Sequence, residues 1–336
     1  MKRRILWVLI ALLAAIAQAR SDDKGPQTKT VRLHVDYLVA SDAHLFLASA
    51  EGTICVVDRR TLGDYWSLTT DPITSVSVSP KGERLAVSHV DGTLETWSVE
   101  KKEKGWKVPI AKERELEVVA FVDDDSVIAM QGIDQSNGKT GQLVLLEARS
   151  GKIKKRLMFG NSYLTSAAVV DSKRVAVAYA ASAKEDRLAL FDLTTDKKLW
   201  DKLFQGGAII AGVRPKGDKL LTWATSADYE VAVVDVGKGE TTGTVKTGEQ
   251  FITQVLLVAD GQYAIVTGKS ERLDVVDVAE GKVVGRYPIR EVSKLGVTRD
   301  GQSVYIALGG NSSRRESTDI RVIAATELIE RSKRGK

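Results

Sequence analysis

The chain has 336 residues, with 49 basic side chains against 44 acidic ones and an isoelectric point near 9.0. The excess positive charge lies at the two ends, because the body from Arg20 to Glu330 carries a formal charge of −2. A near-neutral body argues against a nucleic-acid partner, which needs clustered positive charge. The single cysteine, Cys55, excludes an internal disulfide; its apolar neighbours predict that it packs as a small apolar residue.

The first residues have the pattern of an export signal. A basic start at residues 2–4 precedes an uncharged apolar run of 13 residues, Ile5 to Ala17, and residues 17–19 form a small-x-small cleavage pattern. The run is short for a membrane span, which takes about 20 residues, although an uncleaved anchor helix is the alternative. We therefore expect an exported protein, periplasmic or extracellular, with no transmembrane segment after cleavage. The expected organisation is a signal peptide, a flexible linker, a repeat domain and a basic disordered tail, at residues 1–19, 20–29, 30–330 and 331–336.

The rest of the chain repeats. Short apolar runs end at steps of 40, 49, 45, 43, 42 and 47 residues, and a period of that size is typical of propeller blades. The runs are Ile54–Asp58, Leu94–Ser98, Leu143–Glu147, Leu188–Asp192, Val231–Asp235, Leu273–Asp277 and Ile320–Ala324.

Two further strand-like segments precede most of these runs. Turn sequences such as Pro80-Lys81-Gly82 separate an inner segment of small and apolar residues from a second one, and an outer, more polar strand follows each run. The pattern predicts an all-β fold, a seven-bladed β-propeller of four-stranded antiparallel blades. Residues 30–34 are a spare strand that we expect to complete the last blade; the alternative is Leu328-Ile329 of the same blade.

These runs resemble those of the WD-repeat and YVTN-type, quinoprotein-amine-dehydrogenase-like seven-bladed propellers, over about residues 31–329. The Trp-Asp pair of the family is present only loosely, as Trp97-Ser98 and Phe191-Asp192, and no repeat has the Gly-His pair. The resemblance implies the fold. It implies little about function, because propellers carry out many unrelated activities.

A search for catalytic chemistry finds no motif. The three histidines, His34, His44 and His89, are not spaced as metal ligands, and we expect His89 to support a loop or to lie at the surface rather than to bind a ligand. Residues 123–125 are three aspartates that are more simply a solvated turn than a calcium loop. The repeated aspartates are expected to bond the backbone of the following turn: Asp58, Asp192, Asp235 and Asp277. We therefore predict no catalytic residue, no metal and no cofactor.

Loop length gives the best indication of a binding surface. The connections between second and third strands are expanded at residues 131–141, 180–187 and 309–319, and such insertions usually mark the binding face of a propeller. Ordinary solvated loops are the alternative. The candidate binding residues on this face are Lys139, Lys184, Arg187, Lys269, Arg272, Arg314 and Arg315.

Two functions are compatible with this sequence. The first is an exported, non-catalytic, monomeric propeller that binds a protein or peptide through the loop-rich face, and the empty motif search favours it. The second is a periplasmic or extracellular enzyme, a lactonase-like hydrolase or a quinoprotein-like oxidoreductase, whose residues come from several blades. Several ionisable groups that converge at the channel mouth would favour the enzyme.

Overall fold

The computed structural model describes residues 27–111, 116–132, 141–160, 162–182, 185–204, 210–216, 218–224, 230–249, 251–309 and 317–334. In these residues the chain forms seven four-stranded antiparallel sheets, so the predicted seven-bladed propeller is confirmed. Six blades use four consecutive strands each. The seventh takes its outer strand from the start of the chain.

The strands of blades 1 to 3 follow one another from the inner to the outer edge. They are β2 (Tyr37–Ala40), β3 (His44–Ala48), β4 (Thr53–Asp58) and β5 (Asp64–Thr69) in blade 1; β6 (Ile73–Val78), β7 (Arg84–His89), β8 (Thr93–Ser98) and β9 (Glu103–Pro109) in blade 2; and β10 (Val118–Phe121), β11 (Ser126–Gln131), β12 (Gln142–Glu147) and β13 (Ile153–Met158) in blade 3.

Blades 4 to 7 repeat this order. They contain β14 (Tyr163–Val169), β15 (Arg174–Ser182), β16 (Glu185–Asp192) and β17 (Lys198–Phe204); β18 (Ile210–Lys216), β19 (Lys219–Ala224), β20 (Glu230–Asp235) and β21 (Thr241–Lys246); β22 (Gln254–Val258), β23 (Tyr263–Thr267), β24 (Arg272–Asp277) and β25 (Lys282–Pro288); and β26 (Val292–Val297), β27 (Ser303–Leu308), β28 (Thr318–Ala324) and β1 (Gln27–Val31).

The repeated apolar runs are the third strands of the blades. All seven third strands end at the residues that the sequence period identified. Where that residue is aspartate, its carboxylate accepts hydrogen bonds from the backbone of the next turn, as expected. Asp58 Oδ1 accepts the Thr61 N–H at 2.8 Å, and Asp277 Oδ1 accepts the Glu280 N–H at 2.9 Å. These carboxylates therefore stabilise the turns that follow the third strands.

The N-terminal strand closes the ring. β1 pairs antiparallel with β28, from Gln27 opposite Val322 to Val31 opposite Thr318. The N-terminal segment therefore supplies the outer strand of the last blade, as predicted. The strand is Gln27–Val31 rather than residues 30–34, and it begins inside the segment expected to be a linker. The threonines at 28 and 30 favour an extended chain beside a strand edge that needs hydrogen bonds.

The last ten described residues form a helix, α1 (Ala325–Arg334). Leu328-Ile329 therefore does not supply a strand, and residues 331–334 are helical, which corrects the disordered tail expected there. Its buried residues, at positions 325, 328, 329 and 332, have the spacing of one helix face. Positive charges at 331, 333 and 334 lie at the carboxyl end, where they complement the helix dipole.

The core lies between neighbouring blades rather than at the axis. One cluster, for example, packs Phe46 and Ile54 of blade 1 against Ile73 and Val87 of blade 2. The inner strands approach closely at the seam of the ring. A Cβ on Gly296 would lie 1.8 Å from Leu38 Cδ2, so any larger residue there would force the Leu38 side chain to move. Each blade is therefore stabilised by its two neighbours.

The strand order defines two faces. The loop face carries the connections between second and third strands and the connections between blades, and the turn face carries the remaining turns. β1 runs toward the loop face, so the chain enters it from the turn face. Helix α1 follows β28 from the turn-face end and packs against β25 and β24.

Candidate functional site

The loop face is only partly described. Four of the seven predicted binding residues lie in segments outside the described residues: Lys139, Lys184, Arg314 and Arg315. The other three lie on blades 4 and 6, at the loop-face ends of the strands. The structure does not bring Arg187 together with Lys269 and Arg272, because they belong to different blades.

The side chain of Arg187, in β16, forms an ion pair with Asp201. Its Nε donates to Asp201 Oδ1 at 2.7 Å, while Tyr179 Oη and Lys198 Nζ lie 2.6 and 2.5 Å from Asp201 Oδ2. Burial would raise the pKa of Asp201, but bonds from Lys198, Tyr179 and Arg187 outweigh it and lower that pKa. Burial and then Asp201 raise the pKa of Tyr179 to about 12. Arg187 is therefore part of a structural ion cluster.

Arg272 has a similar role in blade 6. Its Nε lies 3.3 Å from Asp274 Oδ1 and 3.7 Å from Glu249 Oε1, and its Nη2 donates to the Gly248 carbonyl at 2.8 Å. Asp274 Oδ2 accepts the Gly248 N–H at 2.7 Å. Burial and then the charge of Asp274 raise the pKa of Glu249. These contacts fix the connection that enters blade 6.

Lys269 is the predicted residue that faces outward. Its Nζ lies 4.2 Å from the ring centre of Phe251, and this phenylalanine is 46% exposed at a backbone φ of +54°. An aromatic ring held at the surface beside a cation is a typical anchor for a protein partner. Sequence reasoning missed Phe251, whose only signal was a large apolar residue in a polar loop.

Blade 2 holds a buried network near the same face. Glu95 and His89 are fully buried, and His89 Nδ1 lies 3.1 Å from the Asp71 carbonyl oxygen. Glu95 Oε1 accepts bonds from Thr70 Oγ1 at 2.6 Å and Trp97 Nε1 at 2.8 Å. Lys104 Nζ lies 2.6 Å from Glu95 Oε2. The loop-supporting role predicted for His89 agrees with these contacts.

A cleft opens on the loop face between blades 6 and 7. It has a volume of about 470 Å³, and it is lined by Glu271, Pro288, Ile289, Arg290, Leu308 and Arg321. Arg290 Nε pairs with Glu271 Oε2 at 2.8 Å. The Nε atom of Arg321 is buried and has no hydrogen-bond partner among the described residues. The sequence analysis missed this cleft, because Arg321 lies inside an apolar run.

A second cleft, of about 450 Å³, lies at the seam between blades 7 and 1 and includes Cys55. Burial and then the charge of Asp64 raise the pKa of the Cys55 thiol. A thiol with a raised pKa is a poor nucleophile at neutral pH. The cysteine therefore behaves as a packing residue, as its apolar neighbours predicted.

The three consecutive aspartates make ordinary turn contacts. Asp123 Oδ1 accepts the Asp125 N–H at 2.8 Å, Asp124 Oδ1 accepts the Lys81 N–H at 3.0 Å, and Asp125 pairs with Arg149 at 3.1 Å. Within the described ranges, no three His, Cys, Asp or Glu side chains are grouped closely enough to hold a metal ion.

The fold and this face define a seven-bladed β-propeller with a mixed charged and aromatic loop face. A family model described as outer membrane protein assembly factor BamB matches residues 158–307, which cover blades 4 to 6 and part of blade 7. No curated protein matches the chain. In the part of the chain that the structure describes, no helix is both long and apolar enough to cross a membrane.

Several solved propellers have the same fold. The β-propeller domain of Myceliophteria thermophila Cps50 (Swd1) aligns with a TM-score of 0.69 and 15% identity, covering 88% of this chain and 99% of that one. U3-55K gives a TM-score of 0.72 at 12% identity, covering 89% and 100%, and the RRP9 WD40 repeats give 0.71 at 13%, covering 88% and 96%. At these identities the similarity shows the fold.

Proposed function

We propose that this protein is an exported, non-catalytic and monomeric β-propeller that binds a protein or peptide partner through its loop face. The proposal rests on one observation: some cations of this face are paired with acids, and other groups face outward. Arg187 and Arg272 are engaged in ion clusters, whereas Lys269, Phe251 and the blade 6–7 cleft face outward. Outward aromatic and cationic groups around a cleft favour recognition of a partner.

The comparisons support the same proposal. The match to the BamB family model covers three complete blades and favours a place in the cell envelope. The apolar run at residues 5–17 and its small-residue cleavage pattern favour export. A WD40 fold shared with the repeats of RRP9 is compatible with a scaffold.

Pull-down from the exported fraction tests the binding face. The double variant Phe251→Ala with Lys269→Glu removes the exposed ring and reverses the charge, so we expect it to lose the partner that the native protein retains. A matched control is Leu199→Ala with Lys238→Glu, because Leu199 is 47% exposed, close to the 46% of Phe251, and Lys238 lies on the turn face.

Retention of the partner by the loop-face variant, or its loss by both variants, would show that binding uses another surface. The enzymatic alternative is tested on the same preparation, with lactone substrates and with quinone cofactors plus an artificial electron acceptor. Turnover that exceeds the buffer rate and disappears in the Phe251/Lys269 variant would replace the scaffold with a hydrolase or an oxidoreductase.

Export is tested separately. N-terminal sequencing of the protein from the exported fraction is expected to begin at Arg20, after the Ala17-Gln18-Ala19 pattern. A deletion of residues 2–19 is expected to leave the protein inside the cell. Export of the deleted form, or an intact start on the exported protein, contradicts the signal peptide.

A further inference from the structure

One position in the third strand of the blades faces the preceding blade and carries charge in three of them. Three residues before the end of the strand, blade 2 has Glu95, blade 6 has Asp274 and blade 7 has Arg321. The first two are fully buried acids. Blade 7 therefore has the opposite charge at the same place.

The two acids have basic partners within the fold. Lys104 of β9 lies 2.6 Å from Glu95, and Arg286 of β25, opposite Asp274 in the sheet, lies 3.6 Å from its Oδ1. In blade 7 the outer strand places Thr28 opposite Arg321. Threonine carries no charge, so β1 offers no acid to this guanidinium.

Among the residues that the structure describes, no acid of the preceding blade pairs with Arg321 either. Glu271 is the acidic residue in the wall of the cleft, and it pairs with Arg290 at 2.8 Å. No ion pair joins Arg321 to a described acid, and its buried Nε lacks a hydrogen-bond partner. A buried donor of this kind costs stability unless something accepts its bond. The described walls therefore hold one uncompensated positive charge.

We propose that the cleft between blades 6 and 7 binds the carboxylate of an acidic peptide segment, with Arg321 as the group that receives it. The inference rests on the proposed function and names the chemistry of the partner. A guanidinium donates two parallel hydrogen bonds to the oxygens of a carboxylate, and such charged pairs are stronger than neutral ones.

The net charge and the lining of the cleft indicate which kind of anion it binds. One uncompensated positive charge matches a single carboxylate better than a doubly charged phosphate, which would meet the carboxylate of Glu271. Pro288, Ile289 and Leu308 form an apolar wall, and this favours an anion attached to an aliphatic stem. A glutamate side chain in an extended peptide has both properties.

The probe is a labelled hexapeptide of alternating glutamate and leucine with both ends blocked, and its glutamine–leucine analogue is the neutral control. Fluorescence anisotropy on the full protein measures both. We expect the acidic peptide to bind at least tenfold more tightly than the neutral one. Arg321→Met keeps an aliphatic stem and removes the guanidinium, so it is expected to weaken the acidic peptide about tenfold.

Three further variants keep the test independent of folding. Glu271→Gln removes the competing negative charge, so it is expected to tighten binding of the acidic peptide. Arg149→Met, on the turn face and with a 70% exposed side chain, is the matched control and is expected to change nothing. Arg321→Lys retains a charge without the planar fork and should give an intermediate affinity.

The inference is overturned if the acidic peptide does not bind, if its affinity is the same in Arg321→Met, or if inorganic phosphate displaces it while acetate at equal concentration does not. Failure of the proposed function gives a different pattern. A pull-down that is insensitive to Phe251 and Lys269, together with peptide binding that depends on Arg321, would retain the cleft and reject the loop-face partner.

Discussion

Glu95 is a carboxylate without solvent contact whose neighbours all favour its ionised form. Burial would raise its pKa, but bonds from His89, Lys104, Thr70 and Trp97 outweigh burial and hold the pKa well below its ordinary value of 4.5. These four residues come from the connection into blade 2 and from its three outer strands. The carboxylate therefore joins the end of blade 1 to blade 2.

Replacing this acid tests its contribution to stability. Glu95→Gln keeps the shape but leaves Lys104 and His89 without their anion, so we expect a loss of about 2–3 kcal/mol at pH 7. A lowered folded-state pKa gives stability that is complete above the unfolded-state pKa near 4.5 and is lost as the pH falls through the folded-state value. Below about pH 5, the native protein should therefore lose more stability than the variant, as urea titrations would show.

The control is Glu103→Gln, an exposed acid in the outer strand of the same blade. We expect the stability of Glu103→Gln to depend on pH in the same way as that of the native protein. Equal acid sensitivity in the native protein and in Glu95→Gln would mean that the buried carboxylate does not set this dependence.

Replacing Arg321 should raise the stability of the protein, whereas replacing Glu95 should lower it. Because its buried Nε has no partner within the described residues, Arg321→Met removes a desolvated donor and keeps an apolar stem. We expect the variant to be more stable than the native protein by about 1 kcal/mol, from urea unfolding without added peptide. A loss of more than 1 kcal/mol would show that Arg321 has a stabilising contact in the protein itself.

At the scale of elements, the closing strand joins the two ends of the chain. Thr30 Oγ1 donates to Asp319 Oδ1 at 2.6 Å across the pair of β1 and β28, at a separation of 289 residues. This single strand pair completes the ring, so its loss leaves the edge of β28 exposed.

A disulfide across this pair is expected to stabilise the ring. In a Cys55→Ala background, Thr30→Cys with Asp319→Cys replaces two directly opposed residues, whose backbone spacing suits a disulfide. We expect a gain of about 2–4 kcal/mol in the oxidised form, measured as the shift in urea midpoint. The reduced form of the same protein is the control. A gain that survives reduction cannot come from the covalent link.

The C-terminal helix packs against the outer strand of blade 6 at a glycine, which has no side chain. A Cβ on Gly285 of β25 would lie 2.4 Å from Ser332 Oγ and 2.7 Å from Ser332 C, so the helix backbone has to move. Gly285→Ala is expected to cost about 1–3 kcal/mol and to expose residues 325–334 to proteases.

Gly243→Ala is the matched control for this substitution. Gly243 has the same place in β21 that Gly285 has in β25, opposite Val233 and Val275 respectively, and a Cβ there meets nothing within 4 Å. We expect it to leave helix protection unchanged. Equal proteolysis of both variants would indicate a general effect of alanine in the outer strand.

For the whole molecule, the period of the apolar runs was enough to predict the architecture. Each run faces two neighbouring blades, so its composition is tightly constrained, and its last residue matches the end of the strand in every blade. The sequence also predicted that residues near 30 complete the last blade. It did not predict helix α1, because Leu328-Ile329 entered only as the alternative closing strand, although the buried residues there have the three-and-four spacing of a helix.

The candidate site was much less predictable. Counting cations on long loops selected Lys269, which faces outward, but it also selected Arg187 and Arg272. Asp201 on the adjacent strand neutralises Arg187, and Asp274 and Glu249 neutralise Arg272. Such pairing depends on register between strands, which loop position does not reveal. Arg321 was missed because it occupies an apolar run, although aligning the runs would have shown its reversed charge.

The direction of β1 has a practical consequence for anyone who handles this protein. The described chain begins at Gln27 on the side of the disc away from the cleft, and helix α1 leaves β28 from that same side. A tag, tether or solid support joined after the signal peptide or behind helix α1 is therefore expected to leave the cleft facing the medium. Fusions at the two ends should capture the same set of molecules, and only an obstruction placed between blades 6 and 7 should change that set.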